Sequence, residues 1–284
     1  MLKDKFIVDG FKLGYTIEGS GIPAIVIGSS IFYPRVFSQQ LRKKLRFIFI
    51  DHRGFVKPPN REISLNEFSL DNLVDDIEAI RIHLKVEKIL VIGHSGHAFL
   101  ALEYAKKYPN NVLGVVMIGV SPNYSKEVHL QTEAFFEKTA SIERKTQYNN
   151  SMSLLPGLIE VNTEKRFVNF CLCSGAKNWY QFDFDASLLW EGVYTNMQMI
   201  DYVWGEVFRD IDLKKNWSNF QGPICLLLGK NDYVTGPPEL WLDFKNEFTN
   251  LEIKTFEESA HYPMFEEPKI FDTTFLNWIE EKLS

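Results

Sequence analysis

A serine hydroxyl becomes a nucleophile only when a base stands beside it, a carboxylate orients that base, and amide donors wait for the oxyanion. Three Gly-x-Ser tripeptides occur in the chain: Gly28-Ser29-Ser30, Gly93-His94-Ser95 and Gly119-Val120-Ser121. Only Ser95 lies between a fully apolar run, Ile89-Leu90-Val91-Ile92, and a strongly helical stretch, Ala98–Tyr108. A tight strand-to-helix turn there lifts the serine oxygen above the end of the strand and aims the Gly96 amide at the same space. Gly93 and Gly96 relieve crowding where strand and helix nearly touch. His97 stands where G-x-S-x-G has its last glycine. A serine that merely caps the helix is the alternative reading.

Six histidines are candidates for the base: His52, His83, His94, His97, His129 and His261. His94 precedes the serine, and a tight turn directs its side chain away. His97 is two positions along the helix, and such positions do not share a face. It is expected to push the helix slightly outward or to fill space beneath the acid and histidine loops. His83 reads as surface, His129 has no supporting pattern, and His52, in Asp51-His52-Arg53-Gly54, reads as loop structure. His261 follows the last apolar run, and Asp232 follows the run Ile224–Leu228. In a doubly wound sheet both loops rise from the edge that carries Ser95. The chain order Ser95, Asp232, His261 is one in which a serine, an orienting acid and a base assemble. A turn-forming Asn231-Asp232 pair and a hydrogen-bonded loop histidine are the plainer alternatives. The second oxyanion amide is assigned to Ser29, with Ser30 as its rival.

Eight runs must supply the strands that carry these loops. An opening hairpin, Phe6–Val8 and Leu13–Ile17, turns at Asp9-Gly10. Apolar strands follow at 24–27, 47–50, 89–92, 112–118, 224–228 and 251–256. Helices are expected near 36–44, 70–84, 98–108 and 240–248, with a last one opened by Pro268. Short apolar strands alternating with amphipathic helices make a mostly parallel sheet covered on both faces. From 123 to 215 that alternation stops, so residues 1–122 and 216–284 form the α/β core around a helical insertion.

The 284 residues carry a formal net charge of -6, which gives no reason to expect nucleic acid or an anionic membrane as partner. No apolar stretch reaches 18 residues, and the start of the chain lacks a signal core. Three cysteines, Cys171, Cys173 and Cys225, suit a reducing cytoplasm. Cys171-x-Cys173 has no second Cys/His pair near it, so two packed thiols are expected rather than a metal site. The partner expected is a small-molecule substrate, and no cofactor is called for.

These residues resemble the α/β-hydrolase superfamily, and within it the capped proline-iminopeptidase-like enzymes. Ile27-Gly28 stands in the place of the usual His-Gly, and Asp51-His52-Arg53-Gly54 in that of an Asp-x-Arg-Gly loop. Gly93-His94-Ser95, Asp232 and Ser259-Ala260-His261 complete the likeness. It implies that the insertion is a cap and that Ser95, His261 and Asp232 cleave an ester, thioester or small amide through an acyl-enzyme. Proline iminopeptidases carry a glutamate directly after the catalytic aspartate, where this chain has Tyr233. Glu206, in Trp204-Gly205-Glu206, and Glu191, beside Trp190, are the candidates for binding a substrate amine. An aminopeptidase, a lyase and a non-catalytic ligand binder of the same fold remain alternatives.

Overall fold

In the computed structural model, which describes residues 1–283, the eight runs become strands of one sheet. They are β1 (Leu2–Val8), β2 (Phe11–Gly19), β3 (Ile22–Gly28), β4 (Leu45–Asp51), β5 (Ile89–His94), β6 (Val112–Ile118), β7 (Ile224–Gly229) and β8 (Leu251–Phe256). Their order across the sheet is β1-β2-β4-β3-β5-β6-β7-β8. The hairpin β1–β2 adds antiparallel to β4, and the six remaining strands run parallel. The Asp9-Gly10 turn has φ of 50° and 85°, the doubly positive pair that matches the twist of a hairpin.

Alternate residues of β3 enter opposite cores. Ile25 and Ile27 face one, and Ala24 and Val26 face the other. Helices α1 (Leu70–His83) and α2 (His97–Lys107) cover the first face through Leu73, Ile77, Leu100 and Tyr104. The terminal helix, Pro268–Leu283, covers the second with Phe271, Phe275 and Trp278. From β3 the chain moves outward to β4, then returns to β5 on the other side of β3. That reversal opens a crevice beyond the carboxyl ends of β3 and β5, where Ser29 and Ser95 lie.

Between β6 and β7 the chain is helical: α3 (Lys126–Thr139), α4 (Ile142–Val161), α5 (Arg166–Cys173) and several short turns, one of them the π-turn Val203–Val207. Two expected helices are broken. The 36–44 stretch becomes a short helix, Tyr33–Val36, and a separate turn, Leu41–Lys43. The reason is Arg42, whose guanidinium donates to the carbonyls of Pro34, Phe37 and Ser38 at 2.7–2.8 Å and so satisfies them without helix. The 240–248 stretch starts as a 3₁₀ turn, Pro238–Trp241, and becomes helical at Leu242–Glu247. There the Trp241 indole donates to the Val120 carbonyl at 2.8 Å. Among the described residues no helix is long and apolar enough to cross a membrane.

Candidate active site

Ser95 joins β5 to α2 with φ of 56°, a left-handed conformation that costs a side-chain-bearing residue free energy. Its N–H donates to the Ile118 carbonyl of β6 at 2.8 Å, and its carbonyl accepts from Ala98 N–H at 2.9 Å. Both flanking glycines are needed for space. A Cβ at Gly93 would run into the main chain of His97 and Ala98. One at Gly96 would stand 2.8 Å from the Phe208 ring and 3.0 Å from the Trp204 indole nitrogen, so the insertion sits directly over this strand-to-helix elbow.

Asp232 and His261 meet above the ends of β7 and β8. His261 Nδ1–H donates to Asp232 Oδ2 at 2.8 Å, and the Thr235 hydroxyl donates to the same oxygen at 2.5 Å. Asp232 Oδ1 accepts the Val234 and Thr235 N–H groups at 2.8 and 3.1 Å. Burial pushes the Asp232 carboxyl up, but the His261 ring and these donors outweigh it and hold the group below the usual carboxylate range.

The His261 loop is tied at the main chain as well. His261 N–H donates to the Asn178 carbonyl of the insertion at 3.0 Å. Its own carbonyl accepts His94 Nε2–H at 2.8 Å. The N–H groups of Ala260 and Tyr262 both donate to Glu266 Oε2, at 2.9 and 3.1 Å, while Glu266 Oε1 accepts Tyr180 N–H from the insertion. Burial pushes the Glu266 carboxyl up to about 7.

Ser29, Ser95, His261, Trp204 and Tyr233 line one cavity of about 450 Å³. Ser30 is occupied elsewhere: its N–H donates to Asp51 Oδ1 at 2.6 Å. Aromatic rings, among them Phe32, Phe55, Phe167 and Trp190, form much of the cavity wall. Glu133 is the acid among its described lining residues, and Lys177 holds both its oxygens at 2.7 and 2.8 Å. Glu191 lies instead on a separate cleft formed within the insertion, and Glu206 is exposed on the π-turn. The structure therefore does not bring either glutamate to Ser95.

Sequence reasoning missed Tyr124 and Tyr33. Tyr124 follows β6 at the same sheet edge as the elbow, the one signal that pointed to it. Burial raises its phenol, and a hydrogen bond with the Ser95 hydroxyl lowers it. Tyr33 sits among three buried histidines. His52, expected as plain loop structure, bonds His97 through their Nε2 atoms at 2.7 Å. The His97 ring lies beside Gly28, under the start of the Ser29 loop rather than under the acid and histidine loops. Both its nitrogens are engaged, Nε2 by His52 and Nδ1 by Tyr33 Oη and the His94 carbonyl, each at 3.1 Å, so it has no lone pair free for a serine proton.

A family model described as alpha/beta hydrolase fold matches residues 20–268. The chain is 42% identical over 273 residues to the AB hydrolase superfamily protein YclE of Bacillus subtilis, covering 96% of this chain and 97% of that one. It is 32% identical over 111 residues to a proline iminopeptidase of Arabidopsis thaliana, covering 39% and 28% of the two chains. Among solved structures, an esterase from Exiguobacterium antarcticum superposes with a TM-score of 0.68 at 19% identity, covering 99% of this chain and all of the other.

Proposed function

The chain belongs to the alpha/beta hydrolase fold family, and from that premise we propose that it is a serine hydrolase acting through Ser95, His261 and Asp232 without a cofactor. The observation that carries the reading is the 2.8 Å His261–Asp232 bond at a cavity shared with a serine held at φ 56°. Ser95 Oγ attacks the substrate carbonyl while His261 Nε2 takes its proton. The N–H groups of Ser29 and Gly96 receive the oxyanion, each contributing on the order of 10²–10³ in rate. His261 then protonates the leaving group, and the acyl-enzyme is released when His261 activates a water. Asp232 fixes the imidazole tautomer and balances the imidazolium that forms in each half-reaction. The insertion acts as a cap that excludes water from this chemistry.

The aromatic wall suits an ester, thioester or small amide with an apolar acyl or leaving group. An aminopeptidase reading draws on the proline iminopeptidase relatives. It requires an unpaired carboxylate to hold a substrate ammonium, and Glu133 is already taken by Lys177. The small-ester reading is therefore preferred. Three unpaired thiols among the described residues suit a reducing compartment, and we place the protein in the cytoplasm.

The deciding experiment compares wild type with Ser95→Ala on p-nitrophenyl acetate and butyrate and on prolyl p-nitroanilide. Ester turnover that disappears with Ser95 supports the proposal, and an unaffected rate refutes the nucleophile. Faster turnover of the prolyl amide would move the assignment to an aminopeptidase. Wild type inert on every substrate and unlabelled by a fluorophosphonate at Ser95 would leave a lyase or a ligand binder.

A further inference from the structure

Beneath the Ser29 loop, the elbow and the base loop runs a buried file of polar rings that the triad chemistry does not use. It comprises His52, His97, Tyr33 and His94. Their donor and acceptor geometry admits one proton arrangement. Gly54 N–H donates to His52 Nδ1 at 2.8 Å, so that nitrogen is bare and neutral His52 carries its proton on Nε2. This proton points at His97 Nε2, 2.7 Å away, which must therefore be bare. His97 then carries its proton on Nδ1 and shares it between Tyr33 Oη and the His94 carbonyl. At the far end the His261 carbonyl only accepts, so His94 is protonated on Nε2. Its bare Nδ1 accepts the Tyr33 hydroxyl proton at 3.3 Å.

We infer that His97 is a positioning residue of the hydrolytic site: its Nδ1 proton turns the Tyr33 hydroxyl onto the bare Nδ1 of His94, which keeps the His94 ring aimed at the carbonyl of His261. The inference rests on the serine-hydrolase reading. It explains why a histidine occupies a position where the elbow pattern has glycine. His94 adjoins the nucleophile in the chain, so its bond to the His261 carbonyl links elbow and base loop directly. The same rings set the third part of the site. A Cβ on Gly28, whose φ is 140°, would collide with the Tyr33 ring and stand 3.0 Å from His97 Cε1, so the Ser29 loop is moulded on them. Reverse the His97 tautomer and two N–H groups face each other at His52. The Tyr33 hydroxyl then turns to the bare Nδ1 of His97, and His94 loses the donor that holds its ring against the base loop.

Long-range ¹H–¹⁵N spectra of histidine-labelled wild type at pH 7 read these protons without turnover. Expected are protons on Nε2 of His52, Nδ1 of His97 and Nε2 of His94, with signals assigned by single substitutions. A proton on His97 Nε2, or a charged His97, overturns the inference. Tyr33→Phe deletes only the hydroxyl, leaves the His94 proton on Nε2 and frees the ring at Nδ1, so the His94 Nε2–H should exchange faster with solvent. Its kcat on p-nitrophenyl butyrate should fall roughly 10- to 100-fold, with KM within about twofold, as for a misplaced base. His97→Gln keeps an acceptor and a donor and should retain more kcat than His97→Leu. An unchanged kcat in Tyr33→Phe, or equal losses in the two His97 variants, refutes the positioning role. Should His97→Leu fail to fold, the wild-type spectrum and Tyr33→Phe decide. Wild type that neither turns over esters nor takes a fluorophosphonate refutes the hydrolase reading alone, because the tautomers are measured independently.

Discussion

Single side chains decide whether this pocket does chemistry, and two substitutions test that at their own scale. Asp232→Asn replaces the oxygen that accepts His261 Nδ1–H and favours the wrong imidazole tautomer. It should lower kcat by about 10⁴ with little change in KM, measured on the ester panel. Gly28→Ala places a methyl group against Tyr33 at a φ of 140°. It should cost about 1–3 kcal/mol of stability and most of the activity, read by chemical denaturation and turnover. Ser95, Asp232 and His261 were legible because each follows an apolar run at one sheet edge, so strand geometry brings them near one another without further information. Glu191 and Glu206 stand out only by their neighbours in sequence, and helical packing in the insertion decides where such side chains point. Tyr33 and the His52–His97 bond could not be read, since they join residues from three separate loops.

Among the elements, the strands were the most legible. Val112–Ile118 matches the expected limits because both of its faces are largely buried, and Leu251–Phe256 matches them as an edge strand anchored by its buried ends, Leu251 and Phe256. The stretch 36–44 misled because Arg42 satisfies three of its neighbouring carbonyls without helical bonds, and 240–248 because a side-chain bond from Trp241 to Val120 anchors its first turn to the end of β6. The insertion is held by a similar device. Arg144 of α4 is buried and donates to the carbonyls of Ala176 and Trp179 at 2.7 Å and to that of Tyr180. These residues flank Asn178, whose carbonyl receives the His261 N–H. Arg144→Met leaves the carbonyls unpaired and should destabilise the protein by about 1–3 kcal/mol. Because Asn178 would then drift, kcat/KM should fall roughly tenfold, while Lys177→Met should leave the His261 tether in place. Thermal melts and ester kinetics on the two variants check this.

At the scale of the whole molecule, the buried rings set how the fold responds to acid. Burial pushes His52 down to about 3 and holds His94 and His97 well below 6.5. As pH falls through 6.5 the unfolded chain takes up three protons that the native chain refuses, and stability drops. Asp51, Asp76 and Glu266 act in the opposite sense. Burial raises the two aspartates to about 6 and the glutamate to about 7, so between about pH 4 and 6 the native chain keeps protons that the unfolded chain releases. Three carboxyls thus offset most of the histidine effect in that window. Below about pH 4 they bind protons equally in both states, and protonation of Asp232, held low in the native chain, adds to the loss. Melting temperature should slope gently from pH 6 to 4 and fall steeply below, and His52→Gln should flatten the gentle part. The strained turn at Ser95 bears on the same quantity from another side. Alanine there keeps the left-handed backbone, whereas glycine adopts it freely, so Ser95→Gly should be more stable than both Ser95→Ala and wild type by about 1 kcal/mol, read as a higher melting temperature. Selection on heat resistance alone would then drift toward an inert descendant. Libraries screened for stability should carry an activity filter from the first round.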